Sequence, residues 1–168
     1  FNYVAGFGVF PSVSYTTPQD MKNRLGYVAY VLNFLTTIPG GLTYKKHCKI
    51  THDGIVDEGD FMLGLITNSI SVAGTQPGVI KKSSLNDGIF EALLIRANPS
   101  PIDVAEMIAA FNGNCDHCNG VLTFQFKNAT FEFEDAVPWT LDGEDGGNVQ
   151  NSEISVIPER ITVFVPKK

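Results

Sequence analysis

The sequence predicts a mostly β fold, a two-sheet β-sandwich or distorted barrel with two α-helices packed against it. Three features point there. Short apolar or alternating runs recur, with turn residues between them every eight to twelve residues or so. Only two stretches have helical periodicity, and each opens beside a proline. With 43% apolar and 18% charged residues in 168, the composition is that of one folded unit, residues 1–168, with interior enough to need no disulfide or structural metal.

The opening run from Phe1 to Phe10 already reads as a core strand, so the chain is expected to be a piece of a longer protein. Thr16-Thr17-Pro18 supplies an N-cap and a first-turn proline. Leu25, Val28, Ala29, Leu32 and Leu35 then predict a helix over about 18–37, stopped by Pro39-Gly40-Gly41. Leu42 to Thr51 alternates loosely, Asp53-Gly54 signals a hairpin, and Asp57-Glu58-Gly59-Asp60 reads as a turn before a buried strand from Phe61 to Asn68. Residues 74–84 read as loop. Asn86-Asp87-Gly88 introduces a nearly continuous apolar strand from Ile89 to Arg96.

A second helix follows Asn98-Pro99-Ser100-Pro101, with Ile102, Ala105, Met107, Ile108 and Ala109 on its apolar face and Asn112-Gly113 at its end. The remainder reads as strands: Val121–Phe126, Thr130–Phe133, Val137–Leu141, Glu153–Ile157 and Arg160–Val165. The stripe of Phe124, Phe126, Phe131 and Phe133 is expected inside, between sheets.

The net charge of −6, with basic residues scattered as pairs, argues against nucleic acid as a partner. No apolar run is long enough to span a membrane and no leader opens the chain, which predicts a cytoplasmic protein. The odd count of three cysteines suggests free thiols. Cys115-Asp116-His117-Cys118 has knuckle spacing, with His47-Cys48 the only other pair to complete a site. Without a second Cys-x-x-Cys it reads as a polar loop.

Three segments place glycine beside acidic residues at strand ends: Gly59-Asp60, Asn86-Asp87-Gly88 and Asp142-Gly143-Glu144-Asp145-Gly146-Gly147. Singly, each is an ordinary turn. In order with Ala5-Gly6-Phe7-Gly8, Leu25-Gly26-Tyr27-Val28-Ala29-Tyr30, Thr67-Asn68-Ser69 and Val163-Phe164-Val165-Pro166, they span nearly the whole chain. That series resembles the carboxy-terminal domain of the diacylglycerol kinase family, which the bacterial soluble lipid kinases and sphingosine kinases share.

The resemblance implies an ATP-dependent lipid kinase. Its own amino-terminal nucleotide-binding domain would hold ATP and Mg²⁺, and the lipid, diacylglycerol first among candidates, would be collected during transient visits to the membrane surface. In the family pattern Glu144 stands where the general base is, and Asp87 with the Ile89 carbonyl where a structural Mg²⁺ is held. Asn68, Gly88, Asp142 and Gly143 stand at supporting positions. This sequence departs from the pattern at Asn86, where the family has aspartate, and at Ser83-Ser84, where an acid is expected. A homodimer is among the assemblies the resemblance admits.

No phosphate-loop motif occurs, so the chain by itself holds no nucleotide-binding residues and is expected to be inactive. The competing readings are a lipid- or sugar-binding β-sandwich without catalysis and a hydrolase pairing Glu144 with Asp87 or Asp142. The kinase reading expects Glu144 and Asp87 at neighbouring strand tips facing one groove, and their placement at opposite ends of the sandwich would count against it.

Overall fold

The computed structural model describes residues 1–9, 43–69, 84, 86–111 and 118–162. The expected helix over 18–37, the loop around 74–83 and Cys115 lie outside the described residues.

Among the described residues, seven strands and one helix follow in chain order. They are β1 (Val4–Gly8), β2 (Lys46–His52), β3 (Ile55–Thr67), β4 (Phe90–Arg96), α1 (Pro101–Phe111), β5 (Val121–Phe126), β6 (Asn128–Leu141) and β7 (Glu144–Ser155). All pairings are antiparallel. β3 and β6 are long because each is paired twice along one edge, first by β2 and then by β1. The pairings β1–β6–β2–β3–β1 thus close a four-strand ring, with β4 and β5 beyond β3 and β7 beyond β6. This is the distorted-barrel form of the expected fold.

Two tight turns follow directly from their sequences. Asp53-Gly54 joins β2 to β3 and Asp142-Gly143 joins β6 to β7, and all four residues have positive φ. A two-residue turn of that kind matches strand twist, and Asp-Gly tolerates it best. α1 is capped reciprocally: Ser100 N–H donates to Asp103 Oδ2 at 2.8 Å, and Asp103 N–H donates to Ser100 Oγ at 3.2 Å.

The main core lies inside the ring. Phe7 is fully buried between Phe133, Trp139 and Phe131, at ring-centroid distances of 4.8, 5.0 and 6.2 Å. It lies over Gly64, its register partner, where any Cβ would stand 2.2 Å from the Phe7 ring. Phe126, Phe131 and Phe133 are buried as the sequence suggests, and Phe124 stacks on His52 at 3.8 Å, drawing β5 over the end of β2. A second cluster of Met62, Leu63, Leu93, Ile95 and Met107 packs α1 against the outer face of β3 and β4.

Three expectations change. Asp57-Glu58-Gly59-Asp60 is not a turn but the first half of β3, in register with Ile50, Lys49, Cys48 and His47. Acids outnumber apolar residues there, yet the facing strand supplies their partners: His52 meets Asp57 at 2.9 Å, and His47 meets both Glu58 and Asp60. Glu144 to Gly147 likewise belongs to β7, because the turn is confined to Asp142-Gly143. Arg160, Ile161 and Thr162 are exposed and form no strand, and the rest of that expected element lies outside the described residues.

Candidate functional site

Strand directions gather the candidate residues at one end of the molecule. β6 ends there at Leu141, β1 starts, β3 ends at Thr67 and β4 starts at Phe90. The register runs Leu141–Ala5–Ile66–Ala92 across the four strands, and Glu144 faces Leu141 on the next. At roughly 4.8 Å per strand step, Glu144 and the start of β4 stand on a common rim, about 20 Å apart as measured along the curved sheet.

Asp142 organises this rim. Its Oδ2 accepts the N–H of Asn2 at 2.7 Å, and its Oδ1 accepts those of Tyr3 at 2.8 Å and Val4 at 2.9 Å. Its own N–H donates to the Val4 carbonyl at 2.7 Å. Partial burial opposes ionisation of Asp142, but the three backbone donors outweigh it and hold the carboxyl below the ordinary range. The Tyr3 carbonyl accepts Asn68 N–H at 3.1 Å and Thr67 Oγ1 at 3.2 Å, so one peptide segment ties the end of β3 to the hairpin. Two residues earlier, the Phe1 ring stacks on Phe90 at 4.9 Å, joining the start of β4 to the same seam.

Glu144 sits just past Gly143, whose φ is +92° and whose Cα faces open space. The carboxylate is exposed and, among the described residues, makes no hydrogen bond or ion pair. Of the two acids on this hairpin, one is fully engaged by backbone and the other is available.

Asp87 is engaged locally. Oδ1 accepts Ile89 N–H and Oδ2 accepts Ser84 N–H, both at 3.1 Å, while Asn86 Oδ1 accepts the Ser84 hydroxyl at 2.8 Å. Gly88 turns the chain at φ +72° beneath Pro158. Asn86, Asp87 and Gly88 line an open pocket with Lys127, Asn128 and Pro158, and the Asp142–Glu144 hairpin does not reach it. The rim therefore carries two neighbourhoods, the hairpin and the Asp87 loop, joined through Phe1 and Phe90. Mg²⁺ takes six oxygens, commonly one or two carboxylates with several waters, and this loop offers the Asp87 carboxylate and its backbone carbonyls. One carboxylate is present, both its oxygens serve the backbone, and residues 70–85 contain neither Asp nor Glu. Among the described residues, no three His, Cys, Asp or Glu side chains are gathered as a metal requires.

Sequence reasoning missed a polar ladder on β2 and β3. His47 Nδ1 meets Asp60 at 2.9 Å and Nε2 meets Glu58 at 3.0 Å, and Lys45 joins Asp60 at 3.2 Å. The Asp60 bond, then the Glu58 bond, raises the His47 pKa, and His47 in turn, before Lys45, lowers that of Asp60. With both ring nitrogens occupied, His47 has no free atom for proton transfer. The usable signal was the run of acids over 57–60 set against the lysines and histidines of 45–52, hidden because the acidic residues also suit a turn. Cys48, beside His47, is fully buried with its thiol pushed up to about 12 by burial, which removes it as a metal ligand.

A scan against protein-family models finds no match. The chain is similar over its whole length to the diacylglycerol kinase of Bacillus subtilis, 29% identical over 170 residues and covering 54% of that protein. It is 26% identical to the diacylglycerol kinase of Staphylococcus carnosus, covering 99% of the chain and 53% of the relative. A crystal structure of a diacylglycerol kinase from Bacillus anthracis superposes with a TM-score of 0.63 at 19% identity, over 94% of this chain and 50% of that one. That likeness establishes the fold. The chain thus spans about half the length of the curated relatives it matches, in the structures their carboxy-terminal half. The resemblance read from the sequence is borne out. Among the described residues no helix is long and apolar enough to cross a membrane.

Proposed function

We propose that this chain is the carboxy-terminal half of an ATP-dependent lipid kinase that phosphorylates a lipid hydroxyl, diacylglycerol being the acceptor that its relatives' names favour. A preceding nucleotide-binding half would bring ATP and its Mg²⁺ to the rim described above. Glu144 is the general base. As the acceptor oxygen attacks the γ-phosphorus, its proton passes to a Glu144 carboxylate oxygen, the bond from phosphorus to the bridging oxygen breaks, and ADP leaves.

The observation that carries this reading is the division of the hairpin acids. Asp142 accepts three backbone N–H groups, and protonating it would weaken its hold on the start of β1. Glu144, two residues on, is exposed and uncommitted among the described residues. The same fact weakens the hydrolase reading, since a carboxylate pair needs both members available.

The test is phosphorylation of a lipid panel by the full-length protein and its Glu144→Gln variant. Loss of a positioned base predicts a kcat fall of roughly 10²- to 10⁴-fold with little change in ATP KM. Near-normal turnover in Glu144→Gln removes Glu144 from the mechanism, and failure to phosphorylate any lipid removes the kinase reading itself.

A further inference from the structure

Glu144 shares its side of the hairpin with an apolar neighbour. Leu141 and Glu144 are register partners across the Asp142-Gly143 turn, so their side chains leave the ladder on the same face, with Cβ atoms about 5 Å apart. Gly146 stands two residues beyond Glu144 and belongs to that face too. A Cβ at Gly146 would lie 3.1 Å from Leu141 Cγ. The leucine side chain therefore rests across Gly146, in room that only a glycine leaves.

That face is the one the main core uses. On its other side Leu141 pairs with Ala5, and the next pair inward on the same face is Phe7 with Trp139. Ala5, Phe7 and Trp139 are buried, whereas Leu141 is 38% exposed. The core of the barrel thus reaches the surface at Leu141, beside the Glu144 carboxylate. Asp142, by contrast, is turned to the backbone of Asn2, Tyr3 and Val4. A part-exposed leucine is ordinary on a protein surface. This one borders the hairpin acid that is uncommitted among the described residues, and Gly146 sets where its side chain lies.

We infer that Leu141 is a specificity residue for the acceptor: it receives the first carbons of an acyl chain whose glycerol hydroxyl is held on Glu144, and Gly146 keeps it in place. A hydroxyl bonded to a Glu144 oxygen brings its neighbouring carbons within van der Waals reach of the leucine, about 4 Å. An acceptor without an apolar chain leaves Leu141 facing water and gains nothing from it. This rests on the kinase reading with Glu144 as base, and adds to it a reason for preferring a lipid over a small polar alcohol.

The experiment measures phosphorylation of dioctanoylglycerol and diacetylglycerol, which carry the same hydroxyl and differ in apolar chain, by the full-length protein below the Tm of each variant. Leu141→Ser is expected to lower kcat/KM for dioctanoylglycerol about tenfold, through KM, with diacetylglycerol and the ATP KM changed by no more than about twofold. Leu141→Met, apolar and of similar volume, is expected to stay near wild type. Gly146→Ala keeps the leucine but displaces it, and is expected to behave as Leu141→Ser does. Should Leu141→Ser melt below the assay temperature, Leu141→Ala is read against the same outcomes. A serine variant that keeps the wild-type KM for dioctanoylglycerol, or loses both acceptors equally, overturns the inference while the kinase reading stands. A Gly146→Ala enzyme indistinguishable from wild type overturns the part given to Gly146. A wild type that phosphorylates neither acceptor removes the kinase reading and this inference together.

Discussion

Replacing Asp142 by alanine should loosen the start of β1 and the end of β3 together. The carboxylate accepts three backbone N–H groups at 2.7 to 2.9 Å, distances typical of charge-assisted bonds. Such bonds contribute about 1.5–3 kcal/mol each when buried. This hairpin is exposed and water can replace part of the interaction, so the low end of the range, and less than full additivity, applies. We expect a loss of about 2 kcal/mol, or roughly 4 to 8 °C in Tm for a protein of this size. Thermal and urea melts of the full-length protein measure it.

The pH dependence adds a second check. Asp142 ionises below its ordinary 3.8 in the folded protein, so its contribution is complete above that value and is lost as pH falls through the lower folded value. The gap in stability between wild type and Asp142→Asn should therefore be constant near neutrality and close in acid. If Asp142→Ala melts with the wild type, or if the gap widens in acid, the carboxylate is not the clasp described here. Glu144→Gln should leave Tm within about 1 °C of wild type, since the side chain touches nothing described.

The remaining predictions address the core and the polar ladder. Gly64→Ala should destabilise by about 1–3 kcal/mol, because its Cβ would stand 2.2 Å from the fully buried Phe7 ring; unchanged stability in a urea melt would show that Phe7 can move aside. The Cys48 thiol, raised to about 12 by burial, should resist alkylation in the native protein and react on unfolding, read by peptide mass spectrometry; equal labelling in both states refutes its burial. His47 has a raised pKa, so its bond to Asp60 stabilises fully below its ordinary 6.5 and fades as pH rises through the folded value. Asp60, whose pKa is lowered, loses its share as pH falls below 3.8. Hence His47→Ala should cost most stability between about 4 and 6.5, by Tm against pH, and a deficit that grows in alkali contradicts the ladder.

The parts of this fold that could be read beforehand are those settled by neighbouring residues. Asp53-Gly54 makes its turn alone, Phe90 to Arg96 is nearly continuous in apolar residues because β4 is buried along most of its length, and Ser100 with Asp103 caps α1 from within four residues. The parts that could not be read depend on partners far along the chain. Nothing within Asp57-Glu58-Gly59-Asp60 says that His47, Lys49 and His52 will stand opposite. β7 is a mostly exposed, polar strand whose existence follows from β6 and not from its own composition. β6 itself runs through Glu134-Asp135-Ala136 by a register shift that joins two runs readable only as separate strands.

The candidate site repeats that division. Glycine next to acid at a strand end marks the hairpin, but which acid is structural and which is available is decided by Tyr3, distant in sequence. The Tyr3 N–H donates to Asp142, and the Tyr3 carbonyl accepts from Asn68 and Thr67. All of these contacts on Tyr3 are to its backbone, so a residue of any type except proline could make them, and no motif would record the connection. The separation of Glu144 from Asn68 is thus set by one peptide segment clasped on both sides. A proline at position 3 would remove the donor to Asp142 while sparing the carbonyl side, and should shift the hairpin without unfolding the barrel. Amide hydrogen exchange would separate the two effects: faster exchange confined to residues 142–146 supports the clasp, whereas uniform acceleration through β3 and β6 refutes it.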